Sequence, residues 1–104
     1  MRIISDIPYT DIYSCKLDLY LPEIDVFYTL IFFHGGGMEN GDKSDNKSVF
    51  KTLVENGIAV VSVNYRMYPD AKYPEFIQDA AASVKWVLSN IASYGKSERI
   101  YIAG

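Results

Sequence analysis

The sequence predicts an α/β domain in which an antiparallel hairpin leads into parallel strands joined by two crossover helices. Three observations carry that prediction. An early segment alternates apolar and polar residues, three later apolar runs do not alternate, and two segments of helical periodicity separate those runs. At 104 residues the chain has room for a single domain, residues 1–104.

Residues 14–21, SCKLDLYL, place Leu17, Leu19 and Leu21 on one face and Lys16, Asp18 and Tyr20 on the other, the period of a half-buried strand. Arg2 to Ile7 alternate more weakly. Together they read as a hairpin at a sheet edge, with Pro22 stopping its second strand. The runs YTLIFF (28–33), IAVVSVNY (58–65) and RIYIA (99–103) are continuous, as expected of strands covered on both faces. Between the first two, SDNKSVFKTLVENG (44–57) repeats Val49, Phe50, Leu53 and Val54 at helical spacing, and Gly57 supplies a C-terminal cap. Between the second and third, PEFIQDAAASVKWVLSNIASYG (74–95) puts Ile77, Ala80, Ala81, Val84, Leu88 and Ile91 on one stripe. Pro74 suits the first helical position and Gly95 closes the far end. Trp86 and the alanines read as core. Strands alternating with helices imply right-handed crossovers and a parallel sheet.

Charge narrows the function classes. Ten Lys and Arg against 13 Asp and Glu leave a net charge of -3, with no basic run, which makes a poor partner for nucleic acid or an anionic membrane. The single cysteine, Cys15, cannot form an internal disulfide and reads as a cytosolic thiol. No Cys/His cluster has zinc-ligand spacing, and neither a signal peptide nor a membrane span is evident. A cytoplasmic location is the expectation.

The stretch IFFHGGGMENGDKS, residues 31–44, ends an apolar strand in bare backbone. Two chemistries need that. A phosphate-binding loop requires a lysine directly after its last glycine, whereas here Asp42 separates Gly41 from Lys43, and Glu39 and Asp42 would oppose a bound anion. Phosphate binding stays as the weaker rival. Ester cleavage passes through an oxyanion that needs backbone N–H groups aimed at one point, with no side chain in the way. Consecutive glycines at the end of a strand meet both needs, and an HGGG-type loop serves this purpose in lipases and esterases.

The ordered set HGGG (34–37), GDKS (41–44), AVVSVNYR (59–66), YPDAKYPEFIQDA (68–80), a helix bearing Trp86, and ERIYIAG (98–104) resembles the N-terminal half of an α/β-hydrolase. The opening DIPYTDIYSCKLDLYLP matches the same pattern. The resemblance is to esterases grouped with hormone-sensitive lipase and to the small feruloyl and acetyl esterases. It implies that Gly35, Gly36 and Gly37 supply oxyanion-hole amides and that His34 positions their loop. His34 is the chain's one histidine, but in this family the catalytic base follows the nucleophile in the chain. The position after the glycines is often tryptophan in these esterases; Met38 implies a wider or softer acyl pocket. Tyr65, Arg66 and Asp79 match family motifs that brace the loops around the site. An Arg66–Asp79 pair is expected on that basis, with two separately solvated charges as the plain alternative. The resemblance implies no metal and no organic cofactor.

The nucleophile elbow, G-x-S-x-G, follows the strand after the second helix in this fold, and Gly104 matches its first glycine. The serine, acid and base then lie beyond the residues present, since Ser62 falls in a buried strand and Ser44 and Ser48 have no histidine beside them. The sequence therefore predicts a partial domain of a serine carboxylic-ester hydrolase, ending at the strand before the elbow and inactive alone. Its small-molecule ester substrate is bound only when a C-terminal half completes the pocket. The alternative is a non-catalytic binding or assembly module that pairs through the open edge of its last strand, with a second copy or a separate C-terminal half.

Overall fold

The computed structural model describes residues 1–12, 15–33, 47–65 and 75–103. Among them the elements are β1 (Arg2–Pro8), β2 (Lys16–Leu21), β3 (Val26–Phe33), α1 (Lys47–Glu55), β4 (Ile58–Val63), α2 (Glu75–Asn90), a 3-10 turn (Ile91–Ser93) and β5 (Lys96–Ala103). The order follows the sequence pattern. β5 begins earlier than its apolar run, at Lys96, because Lys96 N–H donates to the Asp25 carbonyl at 2.7 Å just ahead of β3.

The strands form one mixed sheet in the order β1-β2-β4-β3-β5. β1 and β2 are the expected antiparallel hairpin, β2 joins β4 antiparallel, and β3 runs parallel to both β4 and β5. The two helices cover opposite faces. Phe50 and Val54 of α1 pack on Tyr20 and Val60, whereas Val87 of α2 and Ile91 after it pack on Leu17, Leu19, Ile31, Val61 and Val63.

Three readings of burial are corrected by this arrangement. The face of β2 carrying Asp18 and Tyr20 is buried rather than solvated, because α1 lies over it and the Tyr20 and Phe50 rings meet at 5.2 Å. In α1, Phe50 and Val54 are buried but Val49 points outward. The stripe assigned to α2 is also displaced: Ile77 and Leu88 are 55% and 65% exposed and Ala81 is exposed. The buried line is instead Asp79, Ser83, Val87 and Ile91, each four residues on from the last. Ser83 can occupy it because its hydroxyl donates to the Ala80 carbonyl at 2.7 Å. Trp86 is half-buried and packs against this core.

Continuous burial holds for β4 but fails for β3 and β5. In β3, Phe27, Thr29 and Ile31 are buried while Val26 and Tyr28 are exposed. In β5, Tyr101 and Ile102 are 49% and 61% exposed, because the strand lies at the sheet edge and α1 packs over β2 and β4. Among the described residues no helix is long and apolar enough to cross a membrane.

Candidate functional site

Parallel pairing brings three strand ends to one edge of the sheet. Phe33 pairs with Val63 of β4, and Phe32 pairs with Ala103 of β5, so β3 ends between its two neighbours. In sequence, Phe33 is followed by His34 and the three glycines, Tyr65 by Arg66, and Ala103 by Gly104. The connections leaving β3 and β4 enter helices on opposite faces of the sheet. Adjacent parallel strands whose connections part in this way open a crevice beyond their carboxyl ends, the usual ligand position in open α/β sheets.

Of the residues singled out by the sequence, His34, Gly35, Gly36, Gly37, Met38 and Arg66 lie outside the described residues. Tyr65 and Asp79 lie within them. Tyr65 is 7% exposed, its ring set edge to face against Phe33 with centroids 6.2 Å apart. That burial pushes its phenol above the usual tyrosine range. Asp79, near the start of α2, is 2% exposed. Its carboxyl influences the buried Cys15 thiol, as do the side chains of Thr10 and Tyr9. Burial is the main influence on that thiol and raises its pKa, the hydroxyls of Thr10 and Tyr9 acting in the opposite direction.

The segment joining β1 to β2 reaches this same edge. Tyr9 N–H donates to the Cys15 carbonyl at 3.2 Å, and Cys15 N–H to the Ile12 carbonyl at 3.0 Å. Ile12 N–H donates in turn to Thr10 Oγ1 at 3.1 Å. Asn64, one residue past β4, is held from this side by both backbone groups: its N–H donates to the Lys16 carbonyl at 2.8 Å, and its carbonyl accepts the Tyr9 hydroxyl. Sequence reasoning missed Tyr9, Cys15 and Asn64 as parts of one constellation. Tyr9 and Asn64 are 55 positions apart, and no periodicity or motif links them.

Between this segment and α2 lies an open groove of about 470 Å³, lined by residues that include Tyr9, Asp11, Lys85 and Trp86. Among the described residues no group of three or more His, Cys, Asp or Glu could hold a metal ion.

Comparison with known proteins gives a consistent picture. The BD-FAE family profile matches residues 17–104. A probable isoprenylcysteine alpha-carbonyl methylesterase of Oryza sativa subsp. japonica is 35% identical over 92 residues, 86% of this chain and 22% of the relative. A gibberellin receptor of Arabidopsis thaliana is 35% identical over 88 residues, 77% of this chain and 25% of the receptor. Among solved structures, esterase B of Lactobacillus rhamnosis superposes with a TM-score of 0.88 at 26% identity, over 97% of this chain and 35% of its own. The chain thus spans between a fifth and about a third of the length of these three proteins.

Proposed function

The chain belongs to the BD-FAE family of α/β-hydrolase esterases, and from that membership we propose that it contributes the oxyanion-hole part of a serine carboxylic-ester hydrolase. The observation that carries this is the pairing of β3 with β5. It sets Phe32, two residues before His34 in the sequence, level with Ala103, the residue before Gly104 and its elbow pattern. Neighbouring strands lie about 4.8 Å apart. In this reading a serine two residues past Gly104 and the glycine loop follow neighbouring strands, as attack on an ester carbonyl requires.

In this reading the serine oxygen adds to the carbonyl of a small-molecule ester, and the negative charge passes to the carbonyl oxygen. Backbone N–H groups from Gly35, Gly36 or Gly37 donate hydrogen bonds to it, with His34 holding their loop and Met38 forming part of the acyl pocket. Collapse of the intermediate expels the alcohol and leaves an acyl-enzyme, which water cleaves. Tyr65, Arg66 and Asp79 brace the loops around the site, with Arg66 pairing to Asp79. Buried placement of Tyr65 and Asp79 supports that role.

The test is covalent labelling by a fluorophosphonate probe together with hydrolysis of p-nitrophenyl acetate. A polypeptide that continues past Gly104 with S-x-G and a later Asp and His is expected to label and turn over, and residues 1–104 alone to do neither. Labelling of the 104-residue chain would place the nucleophile within it and overturn the division of labour proposed here.

A second reading is favoured by one feature of the sheet. Among the described strands β5 pairs only with β3, leaving an edge beside exposed Tyr101 and Ile102. Such an edge can accept another strand. A non-catalytic module that self-associates there would show concentration-dependent sedimentation without probe labelling, and the relative named as a receptor is in keeping with a binding role on this fold.

A further inference from the structure

We propose that Tyr9 is a positioning residue, holding through Asn64 the backbone that leads into Tyr65 and, in sequence, to Arg66. What the site does rests on the hydrolase reading above; the clamp itself does not.

β4 ends at Val63, and both backbone groups of the next residue, Asn64, are fixed. Its N–H donates to the Lys16 carbonyl at 2.8 Å and its carbonyl accepts the Tyr9 hydroxyl. Tyr9 is well placed to impose a position rather than follow one. Its N–H is tied to the Cys15 carbonyl at 3.2 Å and its ring packs against the core that Leu17, Leu19 and Val63 share. The next residue, Tyr65, is buried with its ring on Phe33, and Phe33 immediately precedes His34. A continuous line of contacts therefore runs from the β1–β2 segment, through the end of β4, to the last residue of β3. An oxyanion hole acts only if its donors stand where charge develops, and displacements of about 1 Å can cost on the order of a hundredfold in rate. Binding of the uncharged ester is less demanding, so a loosened clamp acts on kcat more than on KM.

Tyr9→Phe in the full-length protein removes the hydroxyl and keeps the ring. Exchange of the Asn64 amide is expected to quicken about tenfold while amides of β3 and β5 hold their rates. For p-nitrophenyl acetate, kcat is expected to fall about tenfold with KM within about twofold. Thr29→Val, which removes a hydroxyl from the 2.7 Å Thr29–Ser97 pair within β3 and β5, is the control and leaves both readouts unchanged. Unaltered Asn64 exchange in Tyr9→Phe would overturn the clamp. Exchange that quickens evenly across the sheet, or quickens at Asn64 with kcat intact, would overturn the positioning role. A wild-type protein without ester turnover would remove the hydrolase reading instead, and Asn64 exchange would still decide the clamp.

Discussion

The rings of Phe33 and Tyr65 meet edge to face, with centroids 6.2 Å apart and planes inclined at 69°. His34 follows one and Arg66 the other, so the contact joins the points from which two candidate site segments depart. Edge-to-face pairs contribute about 0.5–1.5 kcal/mol beyond the area they bury. A double-mutant cycle with Phe33→Leu and Tyr65→Leu, read by urea unfolding, is expected to show coupling of about 1 kcal/mol. Strictly additive losses would mean that the rings are neighbours without a shared contribution.

Two glycines with positive φ carry different constraints. A Cβ at Gly95 would stand 2.5 Å from Phe27 Cε2 and 3.0 Å from the Asp25 carbonyl oxygen. Neither neighbour yields easily, because Phe27 is buried in the core and that oxygen already accepts Lys96 N–H. At Gly57 the nearest atom is Ile24 Cδ1 at 3.4 Å, an ordinary contact, so only the backbone at φ +82° resists a side chain. Gly57→Ala is expected to lose about 1–2 kcal/mol, and Gly95→Ala about 3 kcal/mol or more through added overlap. Thermal unfolding ranks them; equal losses would show that Phe27 gives way.

The hairpin is shaped by a bulge whose filling is polar. Ser5 and Asp6 together oppose Asp18, between the pairs Ile4–Leu19 and Ile7–Leu17. Asp6 adopts φ +59°, and its N–H donates to Asp18 Oδ1 at 2.8 Å. Asp18 is almost fully buried, and Asp18→Ala is expected to cost about 1–3 kcal/mol by removing the carboxylate acceptor of the part-buried Asp6 N–H. Asp18→Asn keeps an acceptor oxygen and should cost less. At Asp6, glycine should be nearly neutral and valine should lose about 1–3 kcal/mol, since a β-branched residue is least tolerant of positive φ. A valine variant as stable as wild type would show that the bulge relaxes.

Periodicity made the element order legible, since alternating, continuous and helical patterns differ even in short windows. It misplaced faces wherever polar residues are buried or apolar ones are not. In α2 the buried line contains Asp79 and Ser83, which a hydrophobic stripe passes over, and the apolar Ile77 and Leu88 lie outward. Asp18 and Tyr20 were assigned to solvent by alternation alone, which carries no information about whether a helix lies above that face. β5 fails in the opposite sense, its apolar Tyr101 and Ile102 being exposed at a sheet edge. The HGGG motif at residues 34–37 stands out in the sequence because oxyanion chemistry would restrict residue type directly, and it lies outside the described residues. The Tyr9–Asn64 contact does not stand out, because one hydroxyl meeting a distant carbonyl restricts almost nothing in the sequence.

Cys15 makes stability depend on alkaline pH. Burial pushes its thiol up, and the opposing influence of the neighbouring Thr10 and Tyr9 hydroxyls does not reverse that shift. An unfolded thiol titrates near about 8.5. Above that pH the folded state retains a proton that the unfolded state has lost, so stability falls as pH rises. The contribution is complete below the unfolded thiol's pKa and is lost as pH climbs through the folded value. Burial raises the Tyr65 phenol as well, extending the same downward slope beyond about pH 10, where unfolded tyrosine ionises. Cys15→Ala removes the first part of this slope. It also leaves a small cavity that lowers stability at every pH, so the informative quantity is the change between conditions. Urea unfolding at about pH 7.5 and 9.5 is expected to show a smaller alkaline loss in Cys15→Ala than in wild type. The same loss in both proteins would assign the alkaline sensitivity to other groups and leave the buried thiol without a part in it.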